Sequence, residues 1–169
     1  MEFFDLVEAR YSVRAYKSDP VEDERIAKIL EAARMAPTAC NLQPFQFIVI
    51  HTKGIEADLR RIYSPSWFTQ APLVICACAV PSQSWRRGDG KNYCDIDVTI
   101  AMDHLILAAA NIGLGTCWIG AFDRNAACEI LGLPEGVEPV AFTPVGYPAD
   151  QPGCKIRKPV KEIVRYEKW

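Results

Sequence analysis

Apolar positions along this chain recur with two rhythms, one near 3.6 residues and one near 2, and the switches between them mark out helices and strands. Phe3, Leu6 and Val7 predict a short amphipathic helix over 3–9. Ile26, Ile29, Leu30 and Ala33, at i, i+3, i+4 and i+7, predict a longer helix reaching Ala36. Ser18-Asp19-Pro20 and Glu22-Asp23 supply its capping and first-turn chemistry. A β-branched and aromatic run at 45–51, centred on Phe47-Ile48-Val49-Ile50, predicts a buried strand. Residues 54–62 read as a short helix and 64–70 as less regular chain. From Pro72 to Val80 the chain is almost wholly apolar, which predicts a second strand placed centrally in its sheet. Residues 95–113 form a long helix with apolar side chains around most of its surface, pointing to burial in a core, a subunit interface, or both. Thr116-Cys117-Trp118-Ile119 predicts a third strand, 124–131 a helix ended by Gly132 and Pro134, and Val140 to Tyr147 a fourth strand. Val160 to Trp169 is too apolar and aromatic for a disordered tail and is expected to dock on a surface.

This alternation indicates α/β or α+β, with the sheet order open to local reasoning. Its 169 residues are most simply one domain, 1–169, large enough for a substantial core. The net charge of −2 gives no reason to expect nucleic acid or an anionic membrane as partner. No apolar run approaches the ~18–20 residues that span a bilayer, and Met1-Glu2-Phe3-Phe4-Asp5 does not read as a signal peptide, so a cytoplasmic location is the expectation. The seven cysteines are an odd number without a CxxC pair, and neither histidine has a ligand partner at helical spacing. Reduced thiols and no metal site are expected, with Cys76 and Cys78 on one face of a strand.

Three stretches carry candidate chemistry. Ala36-Pro37-Thr38-Ala39-Cys40-Asn41-Leu42-Gln43-Pro44 is a stiff polar join between helix and strand. Pro37 ends the helix and Pro44 pushes Gln43 toward an extended conformation. Such a loop either holds a polar ligand or merely satisfies its own backbone. Arg10, Ser12 and Arg14 recur at period two, so an extended segment points all three the same way. They outline an anion site or a solvated charged edge. A second basic cluster, Lys155-Ile156-Arg157-Lys158, lies about as far from the first as the chain allows. Residues 81–93 form the only long polar, glycine-containing loop: a lid, a dimer arm or a linker. Gly113-Leu114-Gly115 follows a helix and precedes a strand, the reverse of a dinucleotide fingerprint, so that reading fails.

Together these segments resemble the nitroreductase family of flavin mononucleotide (FMN) oxidoreductases, in its short form. The resemblance rests on Arg10-x-Ser12-x-Arg14-x-Tyr16, on Ala36-Pro37-Thr38 with Asn41-x-Gln43-Pro44, on Gly113-Leu114-Gly115 leading to Trp118-Ile119-Gly120, and on Gly146-Tyr147-Pro148 followed by Lys155-x-Arg157-Lys158-Pro159. It implies an α+β three-layer fold, with a central, mainly antiparallel sheet flanked by helices, in an intertwined homodimer whose two FMN sites each draw on both subunits. Arg10, Lys155 and Arg157 would hold the phosphate with help from Ser12, Tyr11 would join the cofactor contacts, and Arg14 would lie near the flavin pyrimidine edge. Pro37, Thr38, Ala39, Asn41 and Gln43 would reach ring and ribityl chain from the other subunit. The backbone at Ile119 and Gly120 would approach N5. Tyr63-Ser64-Pro65-Ser66 does not match the amide and lysine that larger members set against the flavin.

The implied activity is ping-pong hydride transfer from NAD(P)H to a small electron-poor acceptor, such as a nitroaromatic or quinone, without a catalytic acid or base. The same fold also fits reductive dehalogenation, flavin-consuming chemistry, or flavin binding without turnover.

Overall fold

The computed structural model describes residues 1–169. In chain order it has α1 (Phe3–Ala9), α2 (Asp23–Arg34), β1 (Phe45–His51), α3 (Glu56–Ile62), β2 (Leu73–Ala79), α4 (Cys94–Asn111), β3 (Gly115–Thr116), α5 (Arg124–Leu131), β4 (Glu138–Gly146) and α6 (Val160–Ile163). The four strands run in the order β1-β2-β4-β3, and every neighbouring pair is antiparallel. The fold is therefore α+β.

Alternation along β2 explains the layers. Leu73, Ile75, Ala77 and Ala79 face one side, where they pack with Ile26, Ile29 and Ala33 of α2 and Val98, Met102, Leu105 and Ala109 of α4. Val74, Cys76 and Cys78 face the other, where they meet Leu59 and Ile62 of α3, Ala126 and Ala127 of α5, Phe68 and Phe142. A strand covered on both faces has no polar positions to spare, hence its unbroken apolar sequence. Each fully buried Leu, Ile, Met or Phe contributes about 1.5–3 kcal/mol of transfer free energy. Cys76 and Cys78 share a face as expected, their Sγ atoms 3.5 Å apart, and all seven cysteines are free thiols.

Local chemistry sets the element ends. Asp123 caps α5, its carboxylate accepting from the Ala126 amide at 2.9 Å, and Gly132 closes that helix in the left-handed region at φ 60°. Glu22, rather than Ser18 or Asp19, stands ahead of α2, and its carboxylate accepts from the Tyr147 hydroxyl at 2.7 Å instead of capping helix amides.

Several expectations need correction. The third strand is only Gly115–Thr116, with Ile119 returning as a single bridge to Phe142. Gln43 is not extended: its φ is 52°. The Thr38 hydroxyl accepts from the Gln43 amide at 3.1 Å, and the Phe45 amide donates back to Gln43 O at 2.9 Å across Pro44, so this tight turn overrides the pre-proline preference. Residues 160–169 do not dock on their own chain; Ile163, Tyr166 and Trp169 are exposed. Residues 81–93 are no slack linker: an Arg86–Asn92 bridge and an edge-on Trp85–Tyr93 stack fold them into a small hairpin. No helix is long and apolar enough to cross a membrane.

Candidate functional site

The N-terminal basic segment lies along the free edge of the sheet. The Val13 amide donates to Thr116 O at 2.9 Å, and Ser12 bridges Thr116 in parallel. Glycine at 115 permits this approach, because a Cβ there would stand 2.7 Å from Val13 Cγ2. With Val13 buried in the sheet edge, its neighbours are left for the surface.

The second basic cluster comes to the same place. Arg10, Tyr11, Ser12 and Arg14 line one open cavity with Gly153, Cys154, Lys155 and Arg157. The Lys155 ammonium donates to Val7 O at 3.0 Å and also to Glu8 O, covering the last carbonyls of α1. An ammonium has three donors, so one remains for a ligand. Burial, and then the charges of Arg10 and Arg157, hold Lys155 below the usual lysine range. None of the ion pairs in the chain includes Arg10, Arg14, Lys155 or Arg157. Converging cations without a carboxylate partner fit a phosphate, whose oxygens match guanidinium forks and whose charge removes the mutual repulsion.

Asp150 holds two of the lining residues in place and was not legible in the sequence. Its carboxylate accepts from the Tyr11 hydroxyl at 3.1 Å and from the Arg14 amide at 2.8 Å, tying the start of the tail to the N-terminal segment. The Arg14 guanidinium leans over the Trp67 ring, 6.0 Å from its centroid. Cys117 lies beneath; burial pushes its thiol up, against the lowering pull of Arg14 and Ser12.

Pro37, Thr38, Ala39, Asn41 and Gln43 are not brought to this cavity within one chain. Their loop leads into β1, at the opposite edge of the sheet from β3. At ~4.8 Å per strand, three spacings put the two edges about 14 Å apart. The loop is held by α4 instead: the Ala39 amide donates to Asp97 Oδ1 at 3.0 Å, and Cys94 Sγ donates to Pro44 O at 3.2 Å. Cys40, Asn41 and Gln43 all have positive φ, at 53°, 55° and 52°. Non-glycine residues in that region cost on the order of 1–3 kcal/mol each and persist only where the surroundings enforce them. Asp97 was also missed, although an acid between Ile96 and Val98 in so apolar a helix was the available signal. Ile119 is buried, while Gly120 is exposed; a Cβ there would meet only Trp118 Nε1, at 3.9 Å.

Comparison with known proteins places these features in a family context. The model of the Nitroreductase family matches residues 7–65 and 61–147. A solved nitroreductase family protein from Clostridium difficile 630 is 36% identical and superposes with a TM-score of 0.92, each chain covering 100% of the other. A second, from Clostridium novyi NT, is 33% identical with a TM-score of 0.82, over 89% of this chain and 87% of that one. The FMN reductase [NAD(P)H] of Bacillus subtilis (strain 168) is 26% identical over 94% of this chain and 70% of its own length.

Proposed function

The chain belongs to the nitroreductase family, and from that premise we propose that it binds FMN at a site shared between two copies and uses NAD(P)H to reduce small electron-poor acceptors. By class it is an FMN-type NAD(P)H oxidoreductase. One observation carries the cofactor reading: cations from both ends of the chain line one cavity, and none of them is engaged in an ion pair.

Arg10, Lys155 and Arg157 would grip the phosphate, with Ser12 donating beside them and Tyr11 fixed by Asp150. Arg14 would set its positive charge near the flavin ring, favouring the reduced, more negative form. Open space at Gly120 leaves room for the ring face. Pro37, Thr38, Ala39, Asn41 and Gln43 would come from the second copy, because in their own chain they lie at the far sheet edge. Exposed Ile156, Val160, Ile163, Tyr166 and Trp169 support such a dimer, since burying each against a partner recovers about 1.5–3 kcal/mol. When bound, FMN would supply two-electron hydride chemistry between a nicotinamide and a nitroaromatic or quinone; the chain's part would be to hold the flavin and leave one face of its ring open to each in turn. No acid or base of the chain is required for that exchange. The test is anaerobic addition of NADH or NADPH to the yellow protein: its visible absorption bleaches and returns with a quinone. Colour that persists under both nicotinamides would overturn the enzyme reading.

A pH dependence follows from Lys155. The free protein holds its ammonium below the usual lysine range, and a phosphate dianion would raise it. FMN affinity is therefore level below the free-protein pKa and falls as pH rises through it, beginning below the titration of an ordinary lysine. Riboflavin, without a phosphate, shows no such step. Quenching titrations of both flavins from neutral pH into the lysine range measure this, and Lys155→Arg should remove the FMN step.

A further inference from the structure

The first turn of α4 holds a carboxylate that neither its own surroundings nor the phosphate cavity accounts for. Asp97 is 2% exposed, in a helix whose other buried residues are apolar or cysteine. One oxygen, Oδ1, accepts from the Ala39 amide at 3.0 Å, while Oδ2 is buried with no donor. An acid with half its acceptors unmet is a poor choice for a packed core, where an apolar side chain of similar volume would cost less. Its one bond goes to the residue that opens the tight turn of the loop. Directly after Ala39 come Cys40 and Asn41 at positive φ, then Gln43.

The remaining ties of this loop lie within it or at its exit. The Gln43 amide to Thr38 Oγ1 and Gln43 Nε2 to Asn41 O are exposed bonds between neutral groups within the loop itself. Pro44 O, which accepts from the Val80 amide at 2.9 Å and from Cys94 Sγ at 3.2 Å, fixes the exit of the loop and not its turn. Asp97 alone ties the turn to the helix layer, through a part-buried bond to a carboxylate.

We infer that Asp97 is a positioning residue for the flavin site: it pins the Ala39 amide and so sets the strained conformation in which Asn41 and Gln43 meet the flavin. This rests on the reading that residues 37–43 contact the cofactor. Because those contacts are to ring and ribityl chain, loss of Asp97 weakens FMN and riboflavin by the same factor, unlike loss of a phosphate ligand.

The test compares the parent with Asp97→Ala and with Ala39→Pro, measuring amide hydrogen exchange at 39–43 and dissociation constants for both flavins. Ala39→Pro removes the donor without touching the core. It suits the backbone because Thr38 is already extended, at φ −133° and ψ 156°, as a residue before proline prefers. Losing a bond to a charged acceptor should weaken both flavins about tenfold or more in each variant. In Asp97→Ala the Ala39 amide should also exchange at least about tenfold faster. Asp97→Asn, which keeps an acceptor oxygen at the same reach, should recover most of both losses. Unchanged exchange in Asp97→Ala would overturn the anchoring role and leave the loop's flavin contact standing. Faster exchange with both affinities unchanged would overturn the proposal together with that contact. Loss of FMN but not riboflavin would place the effect at the phosphate and overturn it as well.

Discussion

A chain ended at Pro152 is expected to fold, to lose the dimer and become monomeric, and to lose FMN affinity by roughly two to four orders of magnitude. The fold should survive because residues 151–169 are almost all exposed and touch the body mainly through Lys155 on the carbonyls of Val7 and Glu8. The affinity loss comes from removing Lys155 and Arg157 together. Each charge-assisted bond contributes about 1.5–3 kcal/mol, and two such losses give the stated range at about 1.4 kcal/mol per decade. The monomeric state follows from deleting Ile156, Val160, Ile163, Tyr166 and Trp169, apolar surface that has no cover in its own chain. Light scattering and a flavin quenching titration on the same sample measure both. A truncated dimer that retains tight FMN would remove the tail from the site and from the interface.

The second large effect is expected from Arg10→Ala: FMN affinity falls about ten- to a hundredfold while riboflavin affinity changes little. Arg10 makes no ion pair and no side-chain hydrogen bond in the chain, and its amide bond to Leu6 O at 2.9 Å survives substitution. Its removal should therefore shift folding stability by no more than about 0.5 kcal/mol, the usual range for a surface position. Parallel titrations with the two flavins separate phosphate from ring. Equal losses for both would place Arg10 elsewhere.

The helices and the central strand were legible because their signals are periodic and local. Ile26, Ile29 and Ala33 mark the buried face of α2 with their spacing alone, and β2 reads as central because both of its faces are covered. What escaped was set by contacts distant in sequence. Gln43 takes a positive φ because Thr38 and Phe45 hold it there, against the local preference of a residue before proline. Gly115–Thr116 ends so soon because beyond it only Ile119 rejoins β4, through one bridge to Phe142. The residue types of the phosphate cavity could be read, as two basic clusters, but their meeting could not. It depends on the segment at Ser12 pairing with β3 and on Asp150 holding Tyr11 and the Arg14 amide. Asp150 and Asp97 have no motif of their own; each matters for the backbone it holds. The apolar residues of the tail predict burial without saying in which copy, and no surface of the same chain covers them.

The shared site at the centre of this account is tested most directly by mixing two damaged chains. One carries Arg10→Ala; the other carries Asn41→Gly with Gln43→Gly, which deletes the loop side chains while tolerating positive φ. Coexpressed with different tags and purified as a heterodimer, they place both defects in one site and leave the other intact. FMN titration should then give one site per heterodimer with the parent's affinity, where each damaged homodimer has none. A heterodimer with no tight site would mean that Arg10 and the loop serve the same flavin from one chain, and the two-copy site would be wrong.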